Sequence, residues 1–95
     1  MVAGETSRLT HASEQFSYDD AEALARQAET SKAPHVLIDL DHTRETTTAA
    51  LARLVVLRRT LRRSGRDLEI VRPHGRAEHI YTVWRIDKLL PSVQA

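Results

Sequence analysis

A chain of 95 residues with 41% hydrophobic and 28% charged residues has the composition of a soluble domain, with one small core burying about 60–65% of the surface its unfolded form exposes. It has no cysteine, which excludes disulfide staples, thiol nucleophiles and zinc–thiolate sites, and its four aromatic residues are too few for a base-stacking platform. The net charge is only +1, but residues 1–52 carry four Lys/Arg against nine Asp/Glu and residues 53–95 carry ten against four, with Arg53, Arg58, Arg59, Arg62, Arg63 and Arg66 in one run, a pattern that fits an acidic partner, nucleic acid or a solvated helix face.

The start, Met1-Val2-Ala3-Gly4-Glu5, lacks the basic residues and apolar stretch of a signal peptide, so a cytoplasmic address is expected. No apolar run approaches the roughly 20 residues of a membrane span, so no membrane insertion is expected. One domain over residues 1–95 is expected, with residues 1–7 as a loose end. Arg8 to Phe16 alternates weakly and reads as a poor strand. Ser17 is a good N-cap, Asp19 and Asp20 suit a first turn, and Ala21, Leu24, Ala25 and Ala28 recur at helical spacing, which predicts a helix over residues 18–31. Pro34 blocks further helix.

His35-Val36-Leu37-Ile38-Asp39-Leu40 is the clearest strand, and its near-continuous apolar run suggests cover on both faces. A loop from Asp41 to Glu45 leads to Thr46, Thr47 and Thr48, three successive N-cap candidates. The next helix runs to about Ser64 and stops at Gly65, with Ala50, Leu51, Leu54, Leu57 and Leu61 on one arc and Arg59 and Arg63 opposite, near Ala52 and Val56. Leu68 to Val71 is a second strand, closed by Pro73. Ala77, Ile80, Tyr81 and Trp84 mark a third helix over residues 76–84, and Ile86 to Leu90 a last turn ended by Pro91. Strands alternating with helices imply an α/β fold with parallel neighbours and right-handed crossovers. Functional loops of such a sheet lie at the carboxyl ends of its strands, which selects the segment from Asp39 to Thr48.

Asp39-Leu40-Asp41-His42-Thr43 after an apolar strand matches the DxDxT signature of the haloacid-dehalogenase phosphotransferases. Only about 50 residues follow, too few for the larger sheet that family needs, and no later acidic pair completes a Mg²⁺ site. His11, His35, His42, His74 and His79 show no ligand spacing, and His74 and His79, five apart, misalign on a helix. No nucleophile elbow and no glycine-rich phosphate loop is present, so no enzymatic activity, metal or cofactor is expected. Nucleic-acid binding would rest on the arginine helix alone, without a recognisable docking element, and is disfavoured.

From Val36 to Pro91, about 60% of the chain, the sequence resembles the STAS domain of sulphate transporters and anti-sigma factor antagonists. The matching residues are Val36-Leu37-Ile38-Asp39-Leu40, Thr47-Thr48-Ala49-Ala50-Leu51, the helix from Leu54 to Gly65, Leu68-Glu69-Ile70-Val71 and Ile86-Asp87-Lys88-Leu89-Leu90. Glu14 to Tyr18 with Ala21 to Leu24 looks like the turn and first helix of the family. Thr47 stands for the usual aspartate of the signature, Ala49 for its second serine, Ala50 for its glycine, and Arg85 for the glycine before the last turn. The resemblance implies a STAS-like mixed β-sheet with helices packed on it and a shortened N-terminal strand region. It also implies a non-enzymatic regulatory module that binds an anti-sigma factor with serine kinase activity, or, in a second branch, a transporter ATPase or a larger signalling assembly. Thr48 matches the phosphoacceptor, and the partner is expected to touch His42, Thr43, Arg44, Thr46, Thr47 and Thr48 of the loop and Ala52, Val56 and Arg59 of the following helix.

Overall fold

In the computed structural model, which describes residues 5–93, the first two predicted helices each begin on a polar residue whose side chain caps them. Helix α1, Tyr18–Thr30, opens on a capping box: Ser17 Oγ accepts from the Asp20 N–H and the Asp20 carboxylate accepts from the Ser17 N–H. Its buried residues are Ala21, Leu24, Ala25 and Ala28. Helix α2, Thr48–Arg63, buries Ala50, Leu51, Leu54, Leu57 and Leu61. It ends in a Schellman motif, with the Gly65 N–H donating to the Arg62 carbonyl and the Arg66 N–H to the Leu61 carbonyl, at a Gly65 φ of 79° that favours glycine. Helix α3, Gly75–Val83, follows Pro73 and leads into a 3₁₀ turn, Ile86–Lys88. Arg85, between them, adopts the left-handed φ of 59°, a conformation that favours glycine.

The strands are β1 (Thr6–Thr10), β2 (Gln15–Phe16), β3 (His35–Asp39), β4 (Glu45–Thr46), β5 (Asp67–Val71) and β6 (Ser92–Val93). Four of them form one sheet in the order β1-β3-β5-β6, and β2 and β4 pair separately. Every pairing among the described residues is parallel, which corrects the mixed sheet expected from the resemblance. The reason lies in the connections. Each strand of the main sheet reaches the next through a helix that returns the chain in the same direction, and residues 11–14 lead β2 away to β4 instead of folding it back on β1. The first strand also starts earlier than expected. Thr6 and Ser7 belong to β1, held in register with His35 and Val36, while residues 1–4 lie outside the described residues.

The sheet order rises steadily, so the right-handed crossover rule directs the helices to one face, and buried residues of α1, α2 and α3 share one core. There a single cluster gathers Phe16, the apolar arcs of α1 and α2, Val36, Ile38 and Leu40, Leu68 and Ile70, Tyr81, Ile86 and Leu90. Leu37 and Glu69 alternate onto the opposite face and are only half-buried, so β3 is covered on one side and not, as its apolar run suggested, on both. Arg8 reaches across from β1 to the carboxylate of Asp39 at the end of β3.

Candidate functional site

The carboxyl ends of β3 and β5 carry the loop that the sequence singles out. Asp39 shapes its start. One of its oxygens accepts from Arg8 and the other from the Asp41 N–H at 2.9 Å, closing a local turn. Burial pushes the Asp39 carboxyl up, but the Asp41 N–H and the Arg8 guanidinium outweigh it and hold the group below its ordinary range. Asp41 faces His74 instead, with Oδ1 and Nε2 at 2.9 Å. The two aspartates of the DxDxT match are therefore committed to Arg8 and to His74. Among the described residues no three His, Cys, Asp or Glu side chains come together as a metal-binding group.

The loop is fastened from three sides. The Arg44 and Glu45 N–H groups both donate to the Glu14 carbonyl, the His74 N–H donates to Thr43 and the Ala77 N–H to Arg44. Gly75, at φ 58°, lets α3 approach closely; a Cβ there would stand 3.4 Å from the Arg44 carbonyl oxygen. This fastening overturns one expected contact. Thr43 is fully buried, with its Oγ1 enclosed and unpaired, so it cannot meet a partner directly. His42 and Arg44 remain exposed.

The short strands β2 and β4 are too brief to show a period in sequence, yet they set the geometry. Their parallel register, Gln15 with Glu45 and Phe16 with Thr46, delivers Ser17 and Thr47 side by side as the caps of α1 and α2. An open depression of about 170 Å³ lies here, lined by Gln15, Phe16, Ser17, Glu45, Thr46 and Thr47. Three adjacent hydroxyls have three different situations. Thr46 Oγ1 donates to the Phe16 carbonyl at 2.7 Å, and Thr47 Oγ1 accepts from the Ala50 N–H at 3.1 Å. Thr47 is thus the N-cap. Thr48, the first residue of the helix, is exposed, and its hydroxyl makes no hydrogen bond among the described residues. Thr47→Ala is therefore expected to cost about 1 kcal/mol in urea denaturation, and Thr48→Ala no more than a few tenths. The reverse order would place the cap at Thr48.

Beyond the loop, Ala52, Val56 and Arg59 line the solvent side of α2, with Val56 49% exposed. The arginine run divides. Arg53 pairs with Glu22 and Arg58 with Asp67, and Arg66 donates to the carbonyls of Ala28 and Ala33. Arg59 and Arg63 stay exposed, without an ion pair among the described residues. Half of the run is therefore scaffolding that ties α2 and the turn after it to their neighbours.

No protein-family model matches the chain, and no curated protein matches it.

The acidic groups that hold the elements together share one direction of shift. Burial raises Asp67, but its hydrogen bond from Arg58 wins and lowers it, while Asp20 is lowered by the Ser17 N–H and Glu22 by Arg53. Carboxyls depressed in the folded state stabilise it above their unfolded values, near 3.8 for Asp and 4.5 for Glu, and lose that stabilisation as pH falls through the folded ones. The urea midpoint should hold between pH 6 and pH 7 and fall progressively below about pH 4. Arg58→Met should flatten that acid limb by removing the partner of Asp67; an unchanged slope would show that the pair does not couple to folding.

Proposed function

We propose that the chain is a STAS-type regulatory module, resembling the anti-sigma factor antagonists, that works by protein–protein contact and not by catalysis. Its partner is an anti-sigma factor with serine kinase activity, which meets His42, Arg44 and the Thr46–Thr48 segment together with Ala52, Val56 and Arg59, and which modifies Thr48. A cytoplasmic location belongs to this reading, and no helix among the described residues is long and apolar enough to cross a membrane.

The observation that carries the reading is the free hydroxyl of Thr48 beside two committed ones. A phosphate there would sit at the amino terminus of a 16-residue helix, where backbone N–H groups favour an anion. It would also add about −1.5 to −2 charges to a contact surface, which is costly to bury against a partner. The fastened loop supports the reading too, because a surface already held in shape loses less freedom on binding. The internal duties of Arg53, Arg58 and Arg66 weaken the case for a duplex as the ligand.

Incubation with the cognate kinase and ATP, followed by mass spectrometry, tests the assignment: phosphate is expected on Thr48, and phosphate on another residue or on none overturns it. Val56→Glu tests the surface. It places a charge on an exposed apolar position, so partner affinity should fall by about tenfold or more while the melting temperature stays nearly unchanged. Equal binding by this variant would remove the helix face from the interface.

A further inference from the structure

The end of α3 and the turn after it expose large apolar side chains that neither the core nor the proposed site uses. Val83, Trp84 and Leu89 are 56%, 64% and 57% exposed, within seven residues of one another, while Tyr81, Ile86 and Leu90 between and beside them are buried. The segment is not a loose end. Tyr81 donates its hydroxyl to the Leu90 carbonyl, the Arg85 N–H donates to Thr82, the Lys88 N–H to Arg85, and Arg58 Nη1 holds the Leu89 carbonyl at 3.2 Å. Three large hydrophobic side chains are thus presented to solvent on a fixed platform. Isolated exposed hydrophobics are ordinary, but a tryptophan grouped with two others beside cations has the make-up of an interface hot spot.

The surroundings are basic. Arg85 and Lys88 are exposed and form no ion pair among the described residues, and the one acid of the turn, Asp87, has a carboxylate oxygen enclosed by the protein. We propose that this surface docks an acidic amphipathic segment of a partner protein, its apolar side chains against Val83, Trp84 and Leu89 and its carboxylates against Arg85 and Lys88. A second copy of the chain fits less well, because a twofold contact would set Arg85 and Lys88 against their own counterparts. An anionic membrane also fits less well, since two cations fall short of the four to eight that such surfaces usually carry. The site is separate from the loop. Arg58, which holds Leu89, also grips Asp67 at the start of β5, whereas residues 41–47 lie at the carboxyl ends of the strands.

Trp84 is the only tryptophan, so its emission reports on the surface directly. The full chain is titrated with a synthetic amphipathic helix of roughly 18 residues built from leucine and glutamate, and with its counterpart in which lysine replaces glutamate. The acidic peptide is expected to shift Trp84 emission to the blue and to bind about tenfold tighter than the basic one. Leu89→Ser should weaken it by about tenfold without lowering the melting temperature, and the double change Arg85→Glu and Lys88→Glu should invert the preference between peptides. Four results would overturn the proposal: no emission shift with the acidic peptide, equal binding of both peptides, a shift that follows protein concentration with doubled mass, or a shift with phosphatidylserine vesicles but not with peptide.

Discussion

Leu54→Ala should lower the unfolding free energy by roughly 2–5 kcal/mol, the range for removing a buried leucine side chain. Leu54 is completely buried at the middle of α2, flanked on the same arc by Ala50, Leu51, Leu57 and Leu61, and belongs to the cluster that joins α1, the sheet and α3. Little is available to collapse into the gap, because the strands beneath are fixed by pairing on both sides of β3. A domain of this size has about 5–15 kcal/mol in total, so the variant should lose a large part of its stability. Urea denaturation with far-ultraviolet circular dichroism measures it. Val56→Ala, on the opposite side of the same helix, should change stability by less than about half a kcal/mol. A similar loss for both would mean that α2 does not pack by its leucine arc.

If the proposed reading holds, Thr48→Asp should reduce affinity for the proposed kinase partner by about a hundredfold, about 2.8 kcal/mol, while leaving the protein as stable as before or slightly more so. The expected direction of the two effects is opposite. An acidic residue in the first turn of α2, which holds none, interacts favourably with the helix dipole by about 0.3–1 kcal/mol. The same charge in a desolvated contact lacks a partner and weakens binding. Thr48→Ala should bind like the unmodified protein and resist release by ATP. Calorimetric titration separates these outcomes from simple unfolding, because the melting temperature is read on the same samples. Full binding by Thr48→Asp would show that position 48 is not a switch.

The parts of the fold that were legible in sequence are those governed by a period. The arcs of α1 and α2 are buried residue for residue as their spacing predicts, and β3 and β5 begin and end within a residue of the expected bounds. Ser17 and Gly65 act as the cap and the stop that their chemistry suggests. What was not legible depends on partners far along the chain. Strands β2, β4 and β6 have two residues each, too few to alternate, and exist because of what lies beside them. The burial of Thr43 follows from His74, thirty-one positions away, donating to its carbonyl, and the choice of Thr47 over Thr48 as cap follows from the pairing of β2 with β4. A run of three threonines offers three equivalent caps until that pairing fixes where the helix starts.

The uniformly parallel sheet has a consequence for how the chain reaches its native state. Thr6 pairs with His35 and His35 with Asp67, so each main-sheet pairing between β1, β3 and β5 joins residues about thirty positions apart. No hairpin is available among the described residues to form early and guide the rest. Closing each such span costs entropy before any ladder hydrogen bond is gained. The chain should therefore fold more slowly than a helical bundle of equal length, with α1 and α2 collapsing on their apolar arcs before the strands between them find register.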